Sequence, residues 1–462
     1  MMFKKKLLAS AMATALVTGA MLSGGAQAVR MSETSVGQVL LGDMYIARAS
    51  DYSTTSIKVV NTSTTDAVKA KLVFRSKKHS DECKDMILYL TPGDVAYVDV
   101  RLNATTGKPE IWSDDDSILA SKRTDGTAVF ASQVAGGVTF AMRDLTKQEP
   151  TFGTSPSEDT CAQGHFEVVS AYAVTGTVVN PSAGAAVVIK QGMAKHDLIR
   201  VFDQTKPALN AAGNNITNDG AARTGADYTA RVQLKGNVEI KSGMDRLMAP
   251  MLALRDGVNA STAGATTYLV TNPSFDVSLG AETLVGQSFG AAGADTLADI
   301  EAALSTTKFT NVYEKAGTNF EVTFPTKYRH IFPQSQRYTN KAAGTTTYES
   351  PFYNLGEVAY GVSLFDNQER SAPGVVGDLC VVSPCGVSPV GGSWLIHEVN
   401  FELVGGSAAW DPASGWFLMT LGNRAGTDQY GTVWAAQGVP ATGYTHFYKA
   451  GVTQSVISPM GR

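Results

Sequence analysis

The chain has 462 residues, a formal net charge of −4 and 17% charged residues, a charged fraction below the roughly 25% of average soluble domains. Hydrophobic residues make up 44%, so the chain can bury a sizeable core and its composition does not predict wholesale disorder. The mildly acidic balance lacks the basic footprint with which proteins bind nucleic acid, so we expect no nucleic-acid partner.

Residues 1–28 have the three parts of a secretory signal peptide. Residues 4–6 are lysines, residues 7–22 are mostly apolar, and residues 26–28 form an A-x-A cleavage site. The alternative is an N-terminal membrane anchor, which the short apolar run, interrupted by Ser and Thr, disfavours. No later stretch is apolar enough to span a bilayer. We therefore expect an exported protein without a transmembrane helix, located in the periplasm, on the cell surface or outside the cell.

Alternating segments between residues 56 and 101 predict consecutive antiparallel strands. In the segment 68–75, apolar residues occupy the even positions and Lys or Arg occupies three of the odd positions. This alternation favours a sheet with one face on a core and the other in water. The segment 91–94, Thr-Pro-Gly-Asp, is a strong turn signal. Short strands separated by turns are typical of a β-sandwich, which we expect over residues 29–180.

The composition changes over residues 181–317, where Ala, Gly, Asn and Thr dominate and charge is sparse. Alternation within 231–241 predicts a hairpin that turns at Gly236-Asn237. Helical spacing of apolar residues predicts short helices over 196–202 and 295–304. We expect an irregular, partly helical middle region here.

Strands return over residues 318–462, where Phe320, Val322 and Phe324 alternate with polar residues and Pro325 ends the run. Four of the five tryptophans also lie in this part of the chain. The predicted fold class is therefore mainly β: two antiparallel, immunoglobulin-like β-sandwich domains flank the irregular, partly helical middle region.

Beyond the end of this alternation, the segment 327–330 contains Lys327, an arginine and a histidine. These residues predict either a small basic patch that docks a carboxylate or, as the simpler interpretation, a solvated strand end.

The chain has four cysteines: Cys83, Cys161, Cys380 and Cys385. An even number in an exported protein suggests disulfides, for which three pairings are possible. We favour Cys83 with Cys161 and Cys380 with Cys385, a pair that closes a short loop. The alternative is a Cys₂His₂ zinc site, because His79 and His165 each lie four residues from a cysteine. An oxidising compartment favours disulfides over zinc.

Three adjacent carboxylates, Asp114, Asp115 and Asp116, form the densest acidic cluster. Carboxylate oxygens are the ligands that Ca²⁺ prefers, so calcium is the one cofactor that the sequence suggests. Neighbouring side chains of an extended segment point to opposite sides, so at most two of the three converge without a tight loop. The simpler interpretation is a solvated turn.

No catalytic motif has its expected surroundings. Gly286-Gln-Ser-Phe-Gly290 matches G-x-S-x-G, but a nucleophilic Ser288 requires a strand before it and a helix directly after it. The following Gly-Ala-Ala-Gly run starts a helix poorly. We therefore expect no enzyme, with a secreted hydrolase whose carboxylates meet only in the fold as an alternative.

Three stretches, 57–76, 88–94 and 322–327, resemble an uncharacterised family of exported, β-rich bacterial envelope or cell-surface proteins. The resemblance implies export and a β-rich build, and it carries no catalytic residue to this chain.

Together these features predict a secreted, non-enzymatic structural or interaction protein of the bacterial cell envelope or surface. Its partners would be further copies of itself or other envelope proteins, joined through exposed strand edges. The alternative is an adhesin-like protein that binds carbohydrate through C-terminal aromatic residues such as Trp410 and Trp416.

Overall fold

The structure is a computed structural model. It describes residues 29–48, 53–77, 82–122, 128–143, 161–179, 186–202, 209–210, 232–242, 245–256, 266–268, 287–289, 301, 303–314, 318–327, 358–368, 371–373, 375–378, 393–395, 399–405, 413–421, 426–427, 433–434, 438–447 and 456–459. The predicted signal peptide lies outside the described residues.

The first seventeen strands run from Val29 to Asp256. They are β1 (Val29–Met31), β2 (Val39–Ile46), β3 (Thr54–Asn61), β4 (Asp66–Ser76), β5 (Glu82–Leu90), β6 (Val95–Leu102), β7 (Pro109–Ser113), β8 (Leu119–Lys122), β9 (Ala128–Phe130), β10 (Val138–Ala141), β11 (Gln163–Thr175), β12 (Thr177–Val179), β13 (Ala186–Val188), β14 (Leu209–Asn210), β15 (Leu234–Ser242), β16 (Asp245–Pro250) and β17 (Leu252–Asp256). A 3₁₀ turn spans Ala131–Gln133, and the α-helix α1 spans Lys195–Phe202.

The later strands run from Thr266 to Pro459. They are β18 (Thr266–Tyr268), β19 (Gln287–Phe289), β20 (Ser305–Thr306), β21 (Lys308–Glu314), β22 (Thr318–Thr323), β23 (Val358–Asp366), β24 (Ser371–Pro373), β25 (Val375–Asp378), β26 (Ser393–Leu395), β27 (Val399–Gly405), β28 (Ser414–Leu421), β29 (Gly426–Thr427), β30 (Val433–Trp434), β31 (Val439–Pro440), β32 (Thr442–Phe447) and β33 (Val456–Pro459). The fold is mainly β, as predicted.

Two six-stranded antiparallel sheets form the first part of the fold, with strand orders β1-β17-β2-β11-β4-β5 and β10-β7-β6-β3-β15-β16. Leu72 and Phe74 of the first sheet share one buried cluster with Ile57 and Val98 of the second sheet. The two sheets therefore face each other across a common core. Their twelve strands exceed the seven to nine of an immunoglobulin domain, and an immunoglobulin-like topology is not confirmed.

The hairpin predicted within 231–241 is wrong. This segment contributes one continuous strand, β15, which pairs with β3 and with β16. Gly236 lies inside β15, and a Cβ atom at this position would come within 2.1 Å of the Met251 sulfur. The glycine permits close packing and does not form a turn.

The expectation of a solvated face on 68–75 is also wrong. Lys71 and Arg75 are 0% and 1% exposed. The Lys71 ammonium lies 2.5 Å from the Asp85 carboxylate, and Arg75 Nε lies 2.9 Å from a Glu167 oxygen. Each buried charge thus lies beside an opposite charge, which offsets part of the cost of burying it.

The short helix predicted over 196–202 is confirmed as α1. Its Leu198, Val201 and Phe202 pack against Tyr89 of β5 and Phe130 of β9. The rest of the helical middle region is not confirmed. Of the helix predicted over 295–304, only positions 301, 303 and 304 are described, and these are helical.

A second pair of sheets forms the C-terminal part. One sheet has the order β21-β28-β23-β24, with β26 also on β23, and the other has the order β25-β27-β22-β32-β33. Phe320, Val322 and Phe324, the predicted alternating set, are buried in one cluster with Phe417 and Met419 of the facing sheet. The remaining described strands form small sheets, β13-β12-β14, β18-β19, β20-β31, β29-β30 and β8-β9. Among the described residues, no helix is long and apolar enough to cross a membrane.

Candidate functional site

An exposed apolar row lies on the outer face of the sheet β21-β28-β23. Val312 is opposite Trp416, and Trp416 is opposite Phe365 on the next strand. Val312 is 56% exposed and Trp416 is 39% exposed. The rings of Trp416 and Phe365 stack with their centroids 3.8 Å apart and their planes 4° apart. Because side chains alternate along a strand, the neighbours Tyr313 and Phe417 point into the buried core.

We call this surface the Trp416 face. It consists of four cross-strand rows: Lys308, Thr420 and Gly361; Thr310, Leu418 and Ser363; Val312, Trp416 and Phe365; and Glu314, Ser414 and Asn367. The charged members are Lys308 and Glu314, which lie at opposite ends of β21. The face thus has an apolar centre with polar residues around it, which is typical of interaction surfaces.

The edge of the same sheet is already occupied by hydrogen bonds. Leu421 N–H donates to the Thr307 carbonyl, so the even-numbered residues of β21 direct their backbone groups away from β28. Lys308 N–H donates to Thr306 Oγ1 at 3.3 Å, and Val312 N–H donates to Asn311 Oδ1 at 2.8 Å. Glu314 N–H donates to Thr318 Oγ1 at 2.8 Å. Three outward N–H groups of this edge are therefore bonded to local side chains and are not available to an added strand.

The structure describes one of the two tryptophans that were predicted to bind carbohydrate. Trp416 is exposed at the centre of the Trp416 face, whereas Trp410 lies outside the described residues.

A small acidic pocket lies where the C-terminal sheets contact the N-terminal ones. It has an empty volume of about 300 Å³, partly open to solvent, and Asp43, Glu321 and Tyr444 line it together with apolar side chains of β15 and β16. Glu321 and Tyr444 are direct cross-strand neighbours on β22 and β32. The Tyr444 hydroxyl donates to the Pro250 carbonyl, which ties β32 to the end of β16.

Asp43 joins the two parts of the chain through two threonines. Thr442 Oγ1 donates to the Asp43 carboxylate at 2.5 Å, and Thr323 Oγ1 donates to the Asp43 carbonyl at 2.8 Å. Thr323 and Thr442 are themselves opposite each other on β22 and β32. The polar groups of the pocket are therefore built into the contact between the halves.

Burial has the largest effect on the pKa values of Glu321 and Tyr444 in this pocket. It raises the pKa of Glu321 from 4.5 to about 8, against the opposing charge of Lys77. Burial, together with the charges of Asp43 and Glu321, holds the pKa of Tyr444 well above its usual value of 10.0. Hydrolases use pairs of carboxylic acids, but here the Asp43 carboxylate accepts a hydrogen bond from the structural hydroxyl of Thr442. Sequence reasoning missed Glu321 because alternation places it on the polar side of its strand.

The aspartates predicted to hold calcium contact other groups. Asp115 Oδ1 accepts the Ser117 N–H at 2.7 Å and closes a turn, while Asp116 lies 3.6 Å from the ammonium of Lys195. Asp114 is exposed. Within the described part of the chain, no three His, Cys, Asp or Glu side chains come together as a metal site. The turn therefore presents its carboxylates to a backbone amide and a lysine.

Lys195 at the start of α1 connects this turn to the first sheet. Its ammonium donates to the Asp94 carboxylate, to the Tyr89 carbonyl at 3.0 Å and to Ser117 Oγ at 3.0 Å. Burial raises the pKa of Asp94, but the charge and hydrogen bond of Lys195 and the backbone N–H donors outweigh burial and hold it below 3.8.

The predicted pairing of Cys83 with Cys161 is confirmed, with the two Cα atoms 5.7 Å apart. Cys380, Cys385 and His79 lie outside the described residues. His165 is 3% exposed, and burial, with the charge of Arg75, lowers its pKa to about 3. The disulfide occupies two of the thiols that the zinc alternative required.

The structure also describes Ser288 and Lys327. Ser288 lies in the middle of β19, opposite Thr267 of β18, and not on the strand-to-helix turn of a nucleophile elbow. Lys327 is 0% exposed, and its ammonium lies 5.7 Å from the centroid of the Phe324 ring. The expectation that Lys327 is a solvated or docking group is therefore wrong.

Comparison of the chain with protein-family models, with curated proteins and with solved structures finds no match. The resemblance to exported envelope proteins stays a prediction.

Proposed function

We propose that the chain is a secreted, non-enzymatic structural or interaction protein of the bacterial cell envelope or surface, made of two β-sandwich domains, and that it associates through the Trp416 face. The observation that carries the proposal is the cross-strand row in which the exposed Val312 and Trp416 lie beside the partly buried Phe365. Large apolar side chains in adjacent exposed positions are typical of protein interaction sites.

The face is a better candidate than the edge of the same sheet. Edge assembly requires free backbone N–H and C=O groups, and three outward N–H groups of β21 already donate to the side chains of Thr306, Asn311 and Thr318. At the edge of the second N-terminal sheet, β10 is a strand of four residues, so it offers few groups to a partner.

Self-association of residues 29–462 tests the proposal. Sedimentation velocity at concentrations up to millimolar should show weighted-average sedimentation coefficients that rise with concentration. Trp416→Ser should weaken this association. Met248→Ser is the matched control, because Met248 is 62% exposed on a different sheet. A protein that stays monomeric at every concentration would contradict self-association.

A second candidate function is carbohydrate binding by the same aromatic residue. Its support is the exposed indole of Trp416 on a face that also carries Asn367, Ser414 and Thr420, whose amide and hydroxyl groups can bond to sugars. A glycan array compares the parent protein with Trp416→Ala and Met248→Ala. Glycan binding that is lost only in the Trp416 variant would favour this candidate over self-association.

A further inference from the structure

We infer that the occupant of the Trp416 face is a second copy of this chain, packed with its strands antiparallel so that Lys308 of each copy lies opposite Glu314 of the other. The inference deepens the proposed function and rests on it. It names the partner, the orientation and the residues that select that orientation.

The charges of the face are the first argument. Lys308 and Glu314 are exposed and lie six residues apart on β21, a separation of roughly 20 Å along a strand. They are too far apart to pair within one copy, and neither side chain forms an ion pair within the described residues. One positive and one negative end on the same strand make the face complementary to itself when the strand direction is reversed.

Two-fold symmetry produces that reversal. A two-fold axis in the plane of the interface, perpendicular to the strands and midway between Thr310 and Val312, places each strand opposite the same strand of the copy. It brings Lys308 opposite Glu314 in two equivalent places. The interface is isologous and closes on itself, as in the commonest class of homo-oligomer.

The sizes of the side chains fit the same operation. The axis places the row of Val312, Trp416 and Phe365 over the row of Thr310, Leu418 and Ser363 of the copy. Larger residues thus meet smaller ones on β28 and β23, where Trp416 covers Leu418 and Phe365 covers Ser363. This alternation of large and small residues allows two sheet faces to interdigitate.

The area predicts a weak dimer. Three strands of seven residues cover roughly 14 by 24 Å, or about 350 Å² for each copy. The total of about 700 Å² is below the ~1,200–2,000 Å² of stable complexes and corresponds to a transient interface. Such a contact becomes effective where copies are concentrated on a surface.

A glycan is the less favoured occupant of the Trp416 face for two reasons, one geometric and one electrostatic. The parallel stack of Trp416 on Phe365 covers one face of the indole, so that face cannot stack on a sugar ring. The charges of Lys308 and Glu314 also have no role in binding a neutral sugar.

Charge reversal tests the orientation. Lys308→Glu and Glu314→Lys should each raise the dissociation constant of the homodimer about tenfold, because each creates two like-charge contacts. An equimolar mixture of the two variants should regain the parental affinity, since both contacts then join opposite charges. The double variant Lys308→Glu/Glu314→Lys should also regain it. Both side chains are exposed, and thermal unfolding checks that every variant is folded.

Carbodiimide cross-linking of a mixture of ¹⁴N- and ¹⁵N-labelled protein is the second measurement. It should join the peptide that contains Lys308 to the peptide that contains Glu314, in pairs of mixed label. Parental association that neither single reversal weakens, or that the mixture fails to restore, would overturn the antiparallel dimer and leave the proposed function standing. A parent protein that never associates would overturn both, and glycan binding that requires Trp416 would replace the second copy with a sugar.

Discussion

Glu321 should make the folded protein less stable as the pH rises from 4.5 to about 8. Its side chain is 1% exposed, and burial raises its pKa from 4.5 to about 8. Between these two values the folded chain keeps the proton on Glu321, whereas the unfolded chain loses it. Unfolding therefore releases a proton, and rising pH favours unfolding until the folded carboxyl also ionises near its own pKa.

The size of the effect follows from the two pKa values. At about 1.4 kcal/mol for each unit of pKa, the shift corresponds to a loss of about 5 kcal/mol of unfolding free energy across the window. Glu321→Gln keeps the shape of the protonated acid and cannot ionise. We expect this variant to match the parent at low pH, to lose the pH dependence, and to be more stable than the parent above the folded pKa.

Urea denaturation at a series of pH values measures this prediction. His165, whose pKa falls from 6.5 to about 3, destabilises the protein as the pH falls below 6.5, so the clean range for Glu321 lies above that value. Glu33→Gln is the control, because Glu33 is exposed. A parent protein with constant stability from about pH 6.5 to pH 9, or a Glu321→Gln variant with the parental slope, would refute the assignment.

Two further substitutions test contacts of the N-terminal sheets. The double variant Cys83→Ala/Cys161→Ala removes a cross-link with a sequence separation of 78, and the chain-entropy relation predicts a loss of about 4.5 kcal/mol of unfolding free energy. Chemical denaturation of the variant and of the parent, with and without reductant, measures this loss. Equal stabilities would show that the bond does not form. Lys195→Met leaves the Asp94 carboxylate without its ammonium partner and should lower the unfolding free energy by about 3 kcal/mol. Lys190→Met is the control and should lower it little, because Lys190 is exposed. Equal effects of the two substitutions would contradict the role of Lys195.

Much of the fold follows from period-two alternation in the sequence. Phe320, Val322 and Phe324 share one face in any strand, and that face is the core of the C-terminal sheets. The pairing of Cys83 with Cys161 was also predictable, since the sequence places each cysteine at or just before the start of a strand. These features depend on local sequence, or on one strong covalent constraint.

Gly236 and Lys327 show where local patterns are insufficient. Gly-Asn in an alternating run is a hairpin signal, but Gly236 lies inside a strand that pairs with β3 and packs closely against Met251. Lys327 follows a proline-terminated strand, which is typical of a solvated turn, yet surrounding elements bury it completely. Both differences arise from residues distant in sequence, which single-sequence periodicity does not include.

Alternation identifies which side chains share a face of a sheet, but it does not identify what covers that face. Lys71 and Arg75 lie on a face that the pattern assigns to water, and both are buried in ion pairs. Trp416 lies on a face that is exposed although its central row is apolar. The charges of Lys71 and Arg75 are paired within the chain with Asp85 and Glu167, and one face of the Trp416 ring is covered by Phe365. These contacts come from residues distant in sequence, so alternation along a single strand predicts neither arrangement.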